Sequence, residues 1–187
     1  MRTYLVLFDS LPIDRKKIRA GRNPAALVTA CRCVNVALFV SRDLRRDVEI
    51  SLGLCEDNGV SLITFPGDTL KRVSPDERSI SFFIMKAREK LDRIELGDVA
   101  ILDNGIGVEK RMTEGLLDSL SYRGIYVADE SANVMPDQIT LKQEGVFVYP
   151  VSDCTSFSLH AESMIRLHRP HHPERFINDL NRAFDYS

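Results

Sequence analysis

The chain has 187 residues, 44% of them hydrophobic and 28% charged, with a formal net charge of −2. That is enough chain to bury the core of one globular domain, and the composition excludes a disordered or fibrous protein. No apolar run reaches the roughly 20 residues of a membrane span and the start carries no secretory core, so the expectation is a cytoplasmic protein with no membrane partner.

The near-neutral total hides an asymmetry. Residues 1–50 carry ten Lys or Arg against five Asp or Glu, a net of +5 that leaves −7 for the remainder. Clustered cations at one end point towards nucleic acid, although a solvated charged face has the same composition.

In chain order, Tyr4-Leu5-Val6-Leu7-Phe8 reads as a first strand, followed by a basic loop. Asn23-Pro24 then offers an N-cap and a proline at the first helical position, and Leu27, Cys31, Val34 and Leu38 form the apolar stripe of an amphipathic helix. On that helix Cys31 and Cys33 diverge by roughly 200° and cannot aim at one metal. Cys55 and Cys154 stand alone, so four unpaired cysteines packed as small hydrophobes are expected, in a reducing setting. Val48–Leu52 and Val60–Phe65 read as strands, the second ending at Pro66-Gly67.

Ser74-Pro75-Asp76-Glu77 has the form of a capping box with Ser74 as N-cap, and Ile80, Phe83, Ile84, Ala87, Leu91 and Ile94 continue at helical spacing. Val99–Leu102 predicts a strand, Asn104-Gly105-Ile106-Gly107 a turn, and Thr113 to Leu120 a short helix. Ile125–Ala128 and Val146–Tyr149 predict buried strands, Leu159 to Leu167 a short helix stopped by Arg169-Pro170, and Pro173 to Phe184 a last helix. Strands separated by helices predict an α/β fold over residues 1–187: a single domain with a mostly parallel sheet, helices on both faces, and ligands at the strand carboxyl ends.

The usual chemical motifs are missing. Asn104-Gly105-Ile106-Gly107-Val108 lacks the third glycine of a dinucleotide loop and the lysine of a P-loop, and no G-x-S-x-G elbow exists. His168, His171 and His172 straddle a proline-broken segment with no fixed third ligand, so no metal site is expected.

Three stretches together carry a resemblance. Cys31-Arg32-Cys33-Val34, then Phe39 through Val48, then Phe65-Pro66-Gly67-Asp68-Thr69-Leu70 through Val73-Ser74-Pro75-Asp76-Glu77-Arg78 are similar to the archaeal tRNA pseudouridine N1-methyltransferases of the SPOUT superfamily. The likeness is dense to about residue 95, thins from Gly105 to Val148, and returns at Leu159-His160-Ala161 with Met164-Ile165. It implies a trefoil knot in the carboxyl-terminal half and a homodimer. It also implies S-adenosylmethionine as cofactor and the T-loop pseudouridine of tRNA, or another structured RNA, as substrate.

Residue by residue, the resemblance assigns Val127, Pro150, Ser156, Phe157, Ser158, Leu159 and Met164 to the cofactor pocket, and Arg32, Arg42, Arg45 and Arg46 to RNA. Asp129, Glu130, Asp153 and His160 are the candidates for taking the N1 proton. Asp153, just past an apolar strand, ranks first as the catalytic group. The chain departs from the family at Ala25-Ala26-Leu27-Val28, where members carry Gly-Arg-Leu-Asp, and at Ser41-Arg42-Asp43, where they carry Ser-His-Asp. It is also shorter after Pro150-Val151-Ser152-Asp153-Cys154. An alternative alignment makes Tyr126-Val127-Ala128-Asp129-Glu130 the second cofactor loop, and an alternative function is a knotted dimer that binds RNA or protein without catalysis.

Overall fold

The computed structural model describes residues 1–56, 59–113, 124–151 and 164–186. Its strands are β1 (Arg2–Phe8), β2 (Phe39–Val40), β3 (Asp43–Leu44), β4 (Val48–Glu56), β5 (Gly59–Pro66), β6 (Val99–Ile101), β7 (Gly107–Met112), β8 (Ile125–Asp129), β9 (Val146–Pro150) and β10 (Ile165–His168). Its helices are α1 (Arg15–Arg19), α2 (Ala25–Leu38), α3 (Glu77–Leu91) and α4 (Pro173–Asp185).

Every residue of β1 is buried, as the apolar run Tyr4–Phe8 requires of a strand covered on both faces. It lies between β4 and β9, parallel to both; β8 pairs parallel with β9, and β10 with β8. Antiparallel β5, β7 and β6 extend the other side, giving the order β10-β8-β9-β1-β4-β5-β7-β6. The parallel strands start at Arg2, Val48, Ile125, Val146 and Ile165, the amino edge. They finish at Phe8, Glu56, Asp129, Pro150 and His168, the carboxyl edge.

The mostly parallel sheet agrees with the sequence reading, and the four described helices pack on one of its faces. Tyr4, Val6, Phe8, Ile50, Leu52, Tyr126 and Phe147 share one core with the apolar faces of α1 to α4. The opposite face gathers Leu5, Leu7, Val60, Leu62, Ile125, Val127, Val146 and Val148, and no side chain from those four helices joins it. The expected helices at 114–120 and from Leu159 fall wholly or mainly outside the described residues, so α1 to α4 speak only for the first face.

Three local expectations also change. Ser74 is not the cap of α3: Asp76 is, its Oδ1 accepting from the Ser79 amide at 2.8 Å, while the Ser74 amide donates to Ser79 Oγ at 2.9 Å. Asn23 does not cap α2. Pro24 holds that position without a side-chain bond, and Asn23 Nδ2 reaches Glu77 Oε1 at 2.7 Å, joining the starts of α2 and α3. The short helix expected up to Leu167 is strand β10 where it is described, because Ile165–His168 pair in register with Tyr126–Asp129 and sheet hydrogen bonds override a local spacing.

The turn at Asn104–Gly107 is present and joins β6 to β7, a strand the sequence reading left out because Glu109, Lys110 and Arg111 make it polar. Gly105 there has φ of 92°, and a Cβ on it would stand 2.8 Å from the Thr69 carbonyl oxygen. The expected helix beyond Thr113 falls on residues 114–120, outside the described residues.

Cys31 and Cys33 are buried free thiols, as expected. Burial pushes Cys31 up to about 12, with the Glu77 charge adding to it, and raises Cys33 well above its ordinary value. Cys55, by contrast, is disulfide-bonded, which corrects the expectation of four unpaired cysteines and removes that argument for a reducing setting.

Candidate functional site

Towards the carboxyl edge β8 delivers Val127, Ala128 and Asp129 and β9 delivers Pro150, while Arg166 stands in β10 beside Val127 and Met164 precedes that strand. These residues, with Glu130 and Arg169, line a cavity of about 270 Å³. The register puts Arg166 beside Val127, so both side chains share the face away from the helices. The setting is the one that open parallel sheets favour for ligands, beyond the carboxyl ends of the strands.

Two ion pairs organise its polar rim. Asp129 Oδ2 pairs with Arg166 Nη1, and Asp129 Oδ1 accepts from the Ser131 hydroxyl at 2.6 Å and amide at 2.7 Å. The Ser131 bonds, hydroxyl first, and then Arg166 hold the Asp129 carboxyl below its ordinary value. Arg169 ties all three strand ends together. Its Nη1 donates to Glu130 Oε1 at 2.9 Å, its Nη2 to the Pro150 and Val151 carbonyls at 2.8 and 3.2 Å, and its guanidinium lies 5.2 Å from the Tyr149 ring centroid. The Tyr149 hydroxyl in turn donates to the Pro170 carbonyl at 2.5 Å.

Val127, Pro150 and Met164, assigned to the cofactor by resemblance, thus meet in one cavity, and Asp129 and Glu130 stand at its rim. Ser156, Phe157, Ser158, Leu159, Asp153 and His160 lie outside the described residues. Arg166 and Arg169 were missed, because a segment read as helix does not announce which residues stand at a strand's end. With β10 in place, Arg169 follows its carboxyl end and Arg166 stands beside Val127, which marks them.

The four arginines assigned to RNA do not join this cavity. Arg32 sits on α2 with Nη1 3.6 Å from Glu174 Oε1. Arg42, Arg45 and Arg46 follow α2 at the amino edge. Arg42 is exposed at the tip of the β2–β3 hairpin with φ of 70°. Arg45 makes a two-pronged pair with Asp185 at the end of α4, both bonds 2.7 Å, and its side chain is only 17% exposed. Arg46 Nη1 donates to the Gly67 and Asp68 carbonyls at 3.1 and 3.4 Å.

Among the described residues no group of three or more His, Cys, Asp and Glu could hold a metal ion, and no helix is long and apolar enough to cross a membrane.

A family model described as "Putative SAM-dependent RNA methyltransferase" matches residues 1–167. Among curated proteins, the chain is 34% identical over 134 residues to a tRNA (pseudouridine(54)-N(1))-methyltransferase of Haloarcula marismortui, covering 68% of this chain and 64% of that protein. It is 54% identical over 67 residues to the protein of that name in Methanococcus maripaludis, covering 35% of this chain and 33% of the relative. A third of the same name, from Natronomonas pharaonis, is 30% identical over 174 residues, covering 90% of this chain and 83% of its own length. The matches thus span less than two thirds of the first two relatives.

Proposed function

The chain belongs to the family described above as SAM-dependent RNA methyltransferases, and from that membership we propose that it methylates N1 of a T-loop pseudouridine in tRNA. One observation carries the reading: Val127, Pro150 and Met164, distant in sequence, line one cavity on three adjacent parallel strands, which opens past Asp129 and Pro150 at the carboxyl edge. Apolar side chains beside strand-end peptide groups are what an adenine ring needs, walls on its faces and hydrogen bonds at its edge.

When bound, S-adenosylmethionine supplies an already activated methyl group on a positively charged sulfur. The chain's residues then have three tasks. Val127, Pro150 and Met164, with Ser156, Phe157, Ser158 and Leu159, hold the cofactor and keep water out, so that donor and acceptor align. Asp153, following β9, accepts the proton that pseudouridine N1 loses as it gains the methyl. Asp129 is less suited to that task, because its carboxylate is already engaged by Ser131 and Arg166 and held weakly basic.

Arg32, Arg42, Arg45 and Arg46 are the phosphate-facing cations of this reading. Arg45 contributes least, since Asp185 occupies both its prongs.

The strand order supports a SPOUT-type trefoil knot. β10, which follows β9 in the chain, lies on the far side of β8 rather than beside β9. A homodimer acting in the cytoplasm completes the proposal, on the strength of the resemblance.

The test is nucleoside mass analysis of pseudouridine-containing tRNA after incubation with the protein and S-adenosylmethionine. N1-methylpseudouridine should form with the wild type. It should fail with Asp153→Asn at undiminished cofactor affinity. If the wild type methylates no T-loop tRNA, the reading gives way to a dimer that binds RNA or protein without chemistry.

A further inference from the structure

Exactly two described residues other than glycine have positive φ, and both are arginines: Arg42 at 70° and Arg72 at 59°. The left-handed region is disfavoured for residues with a Cβ, and turns that need it ordinarily recruit Gly, Asn or Asp. Two separate loops here hold a long cation at such a position.

The two loops are also fastened to each other. Gly67 packs so closely that a Cβ on it would lie 2.0 Å from the Arg45 carbonyl oxygen, its amide donates to the Val48 carbonyl at 2.8 Å, and Arg46 bonds the Gly67 and Asp68 carbonyls. Gly67 and Asp68 are thereby held against the exit of the β2–β3 hairpin, Arg45 to Val48. Lys71 is fixed in turn by its amide, which donates to the Asn104 carbonyl at 2.9 Å.

The charge balance of this edge favours an anion. Asp47 is occupied by Arg2 at 2.8 Å, and Asp185 by Arg45. Asp43 stands 3.4 Å from Arg46 and accepts the Leu44 amide, which leaves Asp68 and Asp103 as acids without such a tie, against the four cations Arg42, Arg46, Lys71 and Arg72. Arg42, Lys71 and Arg72 are exposed, and no hydrogen bond or ion pair engages their side chains among the described residues.

We infer that Arg42, Arg46, Lys71 and Arg72 form one phosphate-gripping edge for the RNA substrate, with Lys71 and Arg72 as contacts that no resemblance assigned. The inference rests on the RNA reading above. The left-handed arginines make sense on it, since the strained backbone turns each guanidinium outward with no internal partner, where a phosphate can take it. The edge lies at the opposite ends of the parallel strands from Asp129 and Pro150 of the cofactor cavity, and three strands, β9, β1 and β4, separate β8 from β5. It therefore grips the RNA away from the reacting base and leaves cofactor binding alone.

The test uses glycine, which adopts positive φ without strain. Arg42→Gly with Arg72→Gly should keep or raise the melting midpoint and leave affinity for S-adenosylmethionine unchanged. The same variant should weaken tRNA binding and lower the log–log salt slope by about one for each arginine. Lys71→Ala, which touches no strained position, should lower the slope by about one on its own. Wild-type tRNA affinity and salt slope in both variants would overturn the inference while leaving the methyltransferase reading intact. A melting midpoint that falls in the glycine variant would overturn the strain argument. Failure of the wild-type protein to bind tRNA would remove the RNA reading and this inference together.

Discussion

Asn181 is a buried polar side chain in the amphipathic helix α4. Its Oδ1 accepts the Tyr4 hydroxyl at 2.8 Å and its Nδ2 donates to the Val36 carbonyl at 2.9 Å, so one amide joins β1, α2 and α4. Burial pushes the Tyr4 phenol well above its ordinary value, so the hydroxyl keeps its proton and remains a donor throughout the working range. Removing the amide leaves a buried hydroxyl and a half-buried carbonyl unpaired, costing about 1–3 kcal/mol for each such group. Asn181→Ala should therefore destabilise by about 3 kcal/mol in denaturant titration, and Tyr4→Phe, which strands one acceptor, by about half as much. Equal costs would mean that the Asn181–Val36 bond contributes nothing. This junction was not legible in the sequence. Asn181 stands in a helical pattern beside Arg182 like any solvent-facing residue, and its partners are 177 and 145 residues away.

At the scale of elements, local chemistry was legible and its assignment to individual atoms was not. The start of α3 was visible in Ser74-Pro75-Asp76-Glu77, yet two residues there can cap, and the backbone chose the second. Asp76 is extended at φ −128°, ψ 151° and bonds the Ser79 amide, while Ser74 contributes its backbone N–H. Asp76→Ala should thus lower stability by about 1 kcal/mol, and Ser74→Ala by a few tenths at most. A shift of the denaturation midpoint for Ser74→Ala as large as for Asp76→Ala would contradict this assignment.

Strand β10 shows the opposite limit. Four residues with Met164 before them carry no decisive period, and their state is fixed by pairing with β8, 39 positions earlier in register. Long apolar runs such as β1 and β9 were plain in the sequence because a strand covered on both faces has no polar side to hide it.

At the scale of the whole molecule, the mostly parallel sheet was legible from alternating strands and helices, and its carboxyl edge follows as the place for a ligand. The residues that make the cavity were legible only by resemblance. Nothing in spacing links Val127, Pro150 and Met164, and only the order β10-β8-β9 brings them together. Arg169 shows how the fold then secures the arrangement, holding the exits of β8 and β9 from the turn after β10. The central claim is that this cavity holds the methyl donor. Calorimetric titration with S-adenosylmethionine tests it most directly, on the wild type and on Met164→Trp, whose larger side chain fills the space. One saturable binding event per chain is expected for the wild type, lost in Met164→Trp at an unchanged melting midpoint. No heat of binding with the wild type, or undiminished affinity in Met164→Trp, would contradict it.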